Sequence, residues 1–268
     1  YVSYFLICEA NYNHNGTKRD FKFNINNFPK FKEKIIYIPL EKQPANIRKV
    51  DSTDSQSIKN SKILDNALIR ENFQRNYLQT GIQKFDDEDL IIVSDLDEIP
   101  NLEKFVYKAN ITFFEQKMFY YKLNLLYEDY NWFGTKATKK KNFLSPQWIR
   151  NIKGKKYSRW RLDILFSKKK YSNLYFVKNG GWHFTCLRTA EELEKKLLNF
   201  AHHYEYEESG LNISDLKKLI SEKRVMYDHN VDQKGYKWSG KSILKTLEKK
   251  HLPEYVTVNS SKYKDWLD

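Results

Sequence analysis

The sequence predicts an α/β fold of Rossmann-like type, with a central mixed sheet flanked by helices, and three observations carry that expectation. LIIV at 90–93 is a wholly apolar strand core that runs straight into the acids of SDLDEIP. From 61 to 83, Ile63, Leu64, Ala67, Leu68, Phe73, Tyr77, Leu78 and Ile82 recur at helical spacing. KMFYYKLNLLY at 117–127 has the aromatic and apolar richness of a strand. Strands and helices thus alternate, the pattern expected when helices cover a sheet.

Taken in order, YVSYFLIC at 1–8 reads as a buried strand that ends at Glu9 and opens into the polar loop NYNHNGTKRD. KIIYIPL at 34–40 is a second strand, and the lysine- and serine-rich stretch to residue 60 reads as a flexible loop. The helix over 61–83 closes near Gly81. After the strand at 90–93, Pro100 and NLEKFVYKA predict a turn into another helix. FVKNGGWHFT predicts two short strands or a hairpin around Gly180 and Gly181. Thr189 with Glu192 has the form of a capping box opening a helix to about His202, with Leu193, Leu197, Phe200 and Ala201 on one face. No internal repeat is present, and residues 1–268 are expected to form one unit.

Composition narrows the classes. A hydrophobic share of 40% with 16% aromatics excludes disorder and coiled coil as global descriptions. The net charge of +13 favours polyanions, anionic membrane surfaces or small phosphorylated ligands without choosing among them. Lysine runs such as Lys139–Lys141 and Lys168–Lys170 read as solvated loops. Cys8 and Cys186 are the two cysteines, so structural zinc and a disulfide scaffold are disfavoured. No apolar run reaches the roughly 18 residues of a membrane span.

The chemistry is expected at the carboxyl end of the 90–93 strand, where ligands bind in open α/β sheets. Asp95, Asp97 and Glu98 stand there, and in an extended segment Asp95 and Asp97 would face one side and address one metal-diphosphate complex. Mg2+ or Mn2+ suits such oxygen donors and would offset charge on a leaving diphosphate. Phosphatases of the haloacid-dehalogenase type also place an Asp-x-Asp after an apolar strand. They need a later acidic pair, and after Glu98 the chain has no Gly-Asp and no adjacent Asp pair.

Four blocks in order, FLICEANYNHNG at 5–16, ENFQRNYLQTGI at 71–82, DDEDLIIVSDLDEIP at 86–100, and GGWHFTCL with KLLNFAHH at 180–203, resemble glycosyltransferase family 17. That is the β-1,4-mannosyl-glycoprotein 4-β-N-acetylglucosaminyltransferase family. The resemblance implies a GT-A-like fold, a UDP-N-acetylglucosamine donor, Mn2+ (or Mg2+), and inverting transfer of the sugar to a glycan or glycoconjugate acceptor. Residues 1–100 would then be the nucleotide-binding half, and 101–268 the acceptor-binding and site-closing half. Where members carry a glutamate after the last block, this chain reads HHYEYEE, with Tyr204 or Glu205 at that place.

Site candidates follow. Asp95 and Asp97 are expected at the metal, with Asp95 also able to serve the ribose, and His183 of GGWHF offers the same ion a nitrogen. Glu71 and Arg75 are spaced for an i,i+4 ion pair, and Arg75 equally for a phosphate or ribose. Lys196 lies where it would reach the diphosphate, and Glu9 and Asn11 end the first strand, where a nucleobase or ribose would bind. An inverting transfer needs a base for the acceptor hydroxyl. Glu128 and Asp129 are the first candidates, beside Tyr127, Tyr130 and Trp132 that would stack on sugars; Asp163 and Glu205 come after them. Peripheral association with a membrane stays among the expected partners and nucleic acid does not. A cytoplasmic, soluble protein is expected ahead of a Golgi-lumenal one. The alternative class is a basic module binding nucleic acid or another polyanion, motivated by charge interleaved with Tyr and Trp.

Overall fold

The computed structural model describes residues 1–103, 105–158, 160–164, 166–198, 203–231 and 235–268, without the side chains of residues 129, 203 and 204. Strands β1 (Phe5–Ala10) and β2 (Ile35–Leu40) pair in parallel, Phe5 opposite Ile35. The connection after β2 is pinned to the long helix α1 (Gln56–Tyr77), since Asn66 exchanges 2.8 Å hydrogen bonds with the backbone of Arg48. Lys62 adds a 2.7 Å bond to Asp54. The stretch expected to be a flexible loop is therefore tied down, and the helix starts within it, capped by Ser55. A short α2 (Gln79–Ile82) continues α1.

The expected strand at 90–93 is β3 (Leu90–Val93), followed by β4 (Glu98–Pro100), β5 (Ile111–Phe114), β6 (Gln116–Tyr120), β7 (Leu125–Trp132) and β8 (Lys136–Lys139). Helix α3 (Pro146–Asn151) precedes β9 (Leu174–Val177) and β10 (Gly181–Thr185). Helices α4 (Ala190–Leu198), α5 (His203–Ser209) and α6 (Ile213–Ser221), strand β11 (Lys245–Thr246) and helix α7 (Glu254–Val258) complete the order.

The α/β class stands, but among the described residues the single central mixed sheet is replaced by three sheets. Besides β1–β2 there is a five-stranded sheet, β11-β7-β6-β10-β4, and a four-stranded one, β3-β8-β5-β9. The latter two share chain direction. β5 runs into β6 across Glu115, and β9 into β10 across 178–180, both pairs parallel. At the break the Glu115 amide donates to Val177 at 3.1 Å and Gly180 donates to Glu115 at 2.8 Å. The two expected strands around Gly180 and Gly181 thus exist, yet they lie in successive sheets and form no hairpin.

The helix expected after Pro100 is absent among the described residues. The Asn101 amide is taken by the Gly180 carbonyl at 2.8 Å, extending the β4–β10 pairing, while Leu102 and Phe105 pack on Phe114 and Val177. Sheet packing here outweighs local helix propensity. The capping box is present: the Thr189 amide donates to Glu192 at 3.2 Å and the Glu192 amide to Thr189 Oγ1 at 3.3 Å. Leu193 and Leu197 of α4 are buried against Met118 and Tyr120 of β6, whereas Phe200, Ala201 and His202 lie outside the described residues. On the opposite face of β6, Phe119 packs with Phe184, Leu252 and Val256. Cys8 and Cys186 are free thiols, and no helix of the described residues is long and apolar enough to cross a membrane.

Gly181 holds φ +133° against β4, and a Cβ there would stand 2.1 Å from the Ile99 carbonyl oxygen. Gly210 also has positive φ, +71°, with nothing within 4 Å of its Cβ position. Gly210→Ala should therefore meet only the backbone penalty of about 1–2 kcal/mol. Gly181→Ala should exceed it, because β4 must move as well; urea unfolding of the two variants measures the difference.

Candidate active site

The site grows from Glu98. Its side chain is wholly buried, and its two oxygens accept from Arg150 Nη1 at 2.9 and 2.7 Å. Trp132 Nε1 donates to it at 2.6 Å, Thr135 Oγ1 at 3.1 Å and the Asp95 amide at 3.0 Å. Burial works to raise the Glu98 pKa, but Arg150 and these donors outweigh it and hold the carboxyl below its ordinary value. Gly134 makes room: a Cβ there would fall 1.8 Å from Glu98 Oε1 and 2.1 Å from Trp132 Nε1. Behind Arg150, the Lys136 ammonium donates to the carbonyls of Arg150 and Ile152. Burial, and then the Arg150 charge, push its pKa down to about 7.

As a strand end, 95–98 is expected to be extended with both aspartates on one side; the structure makes it a turn. The Glu98 amide bonds the Asp95 carbonyl at 3.0 Å, and Leu96 is fully exposed at the tip. The turn parts the aspartates. Asp95 accepts from Arg150 Nη2 at 2.6 Å and from Arg75 Nη2 at 3.2 Å. Burial pushes its pKa up against the pull of those two guanidiniums. Arg75 also makes the anticipated pair with Glu71, at 2.7 Å, but its side chain is only 13% exposed, so the pair belongs to this network and not to a solvated helix face.

Asp97 faces β10, which pairs with β4 so that His183 stands opposite Glu98. The two most specific sequence blocks are thereby neighbours. Asp97 Oδ2 lies 3.5 Å from His183 Nε2, and the Asp97 carbonyl accepts from the Phe184 amide at 2.8 Å. Burial works to raise the Asp97 pKa and loses to His183 and to the charge of Lys196, so the carboxyl is held low. Lys196 is on α4, and its charge is felt at Asp97. His183 is buried and stacked on Trp132, with centroids 4.6 Å apart and planes at 18°, and its Nδ1 has no hydrogen-bond partner. The aromatic wall continues through Tyr130, stacked on His229 at 5.0 Å. His229 Nε2 meets the Tyr120 hydroxyl at 3.1 Å.

Glu9 accepts from the amides of Lys22 and Phe23, both at 2.9 Å, and from Tyr37 at 3.0 Å, which binds the loop after β1 to the strand end. The backbone of Asn11 ties to Leu40 and Arg19. Glu128 is exposed and paired with Lys245 of β11 at 2.8 Å. Asp129 follows it on β7, its side chain outside the described residues. Asp163 sits in an exposed loop with Arg161 and Lys170. Glu205 lies on α5. A cleft of about 800 Å3, bordered by Phe5, Phe31, Pro100, Trp182, Leu252 and Pro253, opens on the Trp182 face of β10, away from His183.

Arg150, Thr135 and Lys136 are not among the residues the sequence singles out, and Trp132 reads there only as a sugar platform. One signal was available for the first: Ser145–Pro146 is a helix start, and Arg150 lies on the short α3 that it opens. No three His, Cys, Asp or Glu side chains among the described residues converge into a cage for an ion. A site of Mg2+ type uses one or two carboxylates and leaves the rest to substrate phosphates and water. Asp97 with His183 supplies an oxygen and a nitrogen donor that fit that pattern for Mn2+. Asp95 is engaged by two arginines.

Glu98→Gln should lower stability by about 3–5 kcal/mol, as should Arg150→Met, because each strands a buried charge. Their double-mutant cycle in urea should show coupling. The folded Glu98 pKa lies below the ordinary 4.5, so its contribution is complete above about 4.5 and is lost as pH falls through the folded value. Acid unfolding of Glu98→Gln should lack that part of the loss.

A protein-family model described as Glycosyltransferase family 17 matches residues 1–268, the whole chain. No curated protein and no solved structure matches.

Proposed function

The chain belongs to glycosyltransferase family 17 and is a glycosyltransferase, a transferase with a sugar donor and a glycan acceptor; we propose that it is a metal-dependent, inverting enzyme that uses UDP-N-acetylglucosamine. The observation that carries this reading is the juxtaposition of Asp97 and His183 at 3.5 Å, just beyond an apolar strand. Asp97 and His183 would hold Mn2+ or Mg2+, which when bound supplies charge stabilisation to the leaving diphosphate. Lys196 adds a point charge for the same phosphates.

Asp95 keeps a different task in this reading. Held by Arg150 and Arg75, it fixes the turn and offers the ribose an acceptor, while Arg75 stays within reach of the donor. Glu9 and Asn11 shape the loop after β1 that borders the nucleotide, so residues 1–100 form the donor half of a GT-A-like arrangement. Trp132, stacked on His183, would offer an apolar face to a sugar ring of the acceptor, with Tyr130 backing it through its stacks on Tyr127 and His229. For the acceptor proton, Glu128 and Asp129 on β7 are joined as candidates by His229, which stands on the same aromatic wall as His183.

Saturating Mn2+ with UDP-N-acetylglucosamine, at about a hundred times Kd, should add about 2.7 kcal/mol of stability. That is a rise of roughly 5–10 °C in Tm for a chain of this size. Asp97→Asn should abolish the Mn2+-dependent part and the transfer activity. No response to any member of a UDP-sugar panel would sink the donor assignment. Among Glu128→Gln, Asp129→Asn and His229→Gln, the true base should lose about 10²–10⁴-fold in kcat with KM little changed.

A further inference from the structure

The loop between α3 and β9 has no task in the site, and its surface is unusual for a soluble chain. Within seven residues it exposes Trp160 (93%), Leu162 (75%) and Phe166 (90%). Single exposed apolar residues are ordinary, but a cluster of large ones marks a surface made to meet something apolar. The loop is held up at its base. The Lys153 amide donates to the Lys169 carbonyl at 2.9 Å and the Tyr157 amide to that of Tyr171 at 3.4 Å. Arg161 and Lys170 both sit over the Tyr157 ring, at 5.5 and 5.8 Å, and both pair with Asp163, the acid of this segment. With Asp163 met in this way and Lys156 over the Phe176 ring at 5.9 Å, Lys155, Lys168 and Lys169 form an exposed basic collar that flanks the apolar tip in sequence.

We propose that this loop is a docking surface for an anionic lipid membrane, with Trp160, Leu162 and Phe166 entering the headgroup region and the lysine collar resting on acidic headgroups. The occupant follows from the layering. A nucleic acid or acidic polysaccharide would reward the lysines and leave the apolar tip in water, whereas a bilayer interface receives both. Trp in particular favours that boundary, where its ring is apolar and its N–H stays wet. Each lysine near an anionic leaflet contributes attraction that salt screens, and stable attachment takes an apolar and an electrostatic signal together. Both signals are carried here by one hydrogen-bonded loop that leaves α3, the helix of Arg150, so docking would hold the site close to the membrane surface.

The experiment is co-sedimentation of the full chain with vesicles of phosphatidylcholine alone and of phosphatidylcholine mixed with phosphatidylserine, at low and high salt. Binding to the mixed vesicles should exceed binding to the neutral ones by about tenfold or more at low salt, and fall as salt rises. The Trp160→Ser/Leu162→Ser/Phe166→Ser variant, altered only at exposed positions, should lose about tenfold on the mixed vesicles while keeping the wild-type Tm. Brominated lipid should quench the wild-type tryptophan emission more than that of Trp160→Phe, isolating Trp160 among the six tryptophans. The proposal fails if the triple variant binds as well as wild type. It fails equally if heparin or single-stranded DNA competes vesicles off the wild type and the triple variant alike, or if Trp160 responds to a UDP-sugar and not to lipid.

Discussion

A carboxylate shut off from water must find its hydrogen bonds inside the protein, and without a cation beside it the burial would cost several kcal/mol. Glu98 meets that requirement through Arg150, and the same guanidinium then reaches across to Asp95. One planar group thus fixes two acids of one turn, which a point charge such as lysine would not do with the same geometry. What surrounds the pair follows from it. Trp132 is turned by its N–H to Glu98, which sets the face on which His183 stacks. Residue 134 has to be glycine because the carboxylate and the indole occupy the space of a side chain.

The charges at this end of the sheet are nearly balanced by the chain itself. Asp95, Asp97 and Glu98 are answered by Arg150, Arg75 and Lys196. Under the proposed reading, a nucleoside diphosphate would bring further negative charge that these cations already share with carboxylates. A divalent ion held by Asp97 and His183 would, in that reading, restore the balance where the excess arises. The overall charge of +13 therefore says little about the site, since much of it resides on exposed lysines elsewhere.

The parts of the fold legible in the sequence are those with a local cause. The helical spacing of 61–83, the Thr189–Glu192 box and the apolar LIIV run each depend on neighbours within a few residues, and each forms. SDLDEIP and GGWHF were legible as the specific blocks, and the glycines as places of close approach, although nothing in either block says that they pair with each other. Arg150 was not legible, because its partner lies 52 residues away and an arginine on a short helix is ordinarily solvated. The facing of the two aspartates was misjudged for the opposite reason. A turn closed by the Glu98 amide is a local event, but the force that makes it worth closing is the buried carboxylate, which periodicity does not record. NLEKFVYKA has a helical pattern and forms no helix among the described residues, since Leu102 and Phe105 find a better apolar surface on Phe114 and Val177.

The distance along the chain between Glu98 and Arg150 also has a consequence in time. On a ribosome that adds about 5–20 residues per second, 52 to 55 residues separate the acids of the turn from the arginine that neutralises them, an interval of roughly 3 to 11 s. Arg75, made earlier, is already present for Asp95, but Glu98 has no cation until Arg150 emerges, and the strand that must pair with the turn, β10, is later still. The one acid of the turn whose side chain the finished protein buries wholly must therefore stay in water through this interval, and the turn can close around it only after Arg150 has emerged.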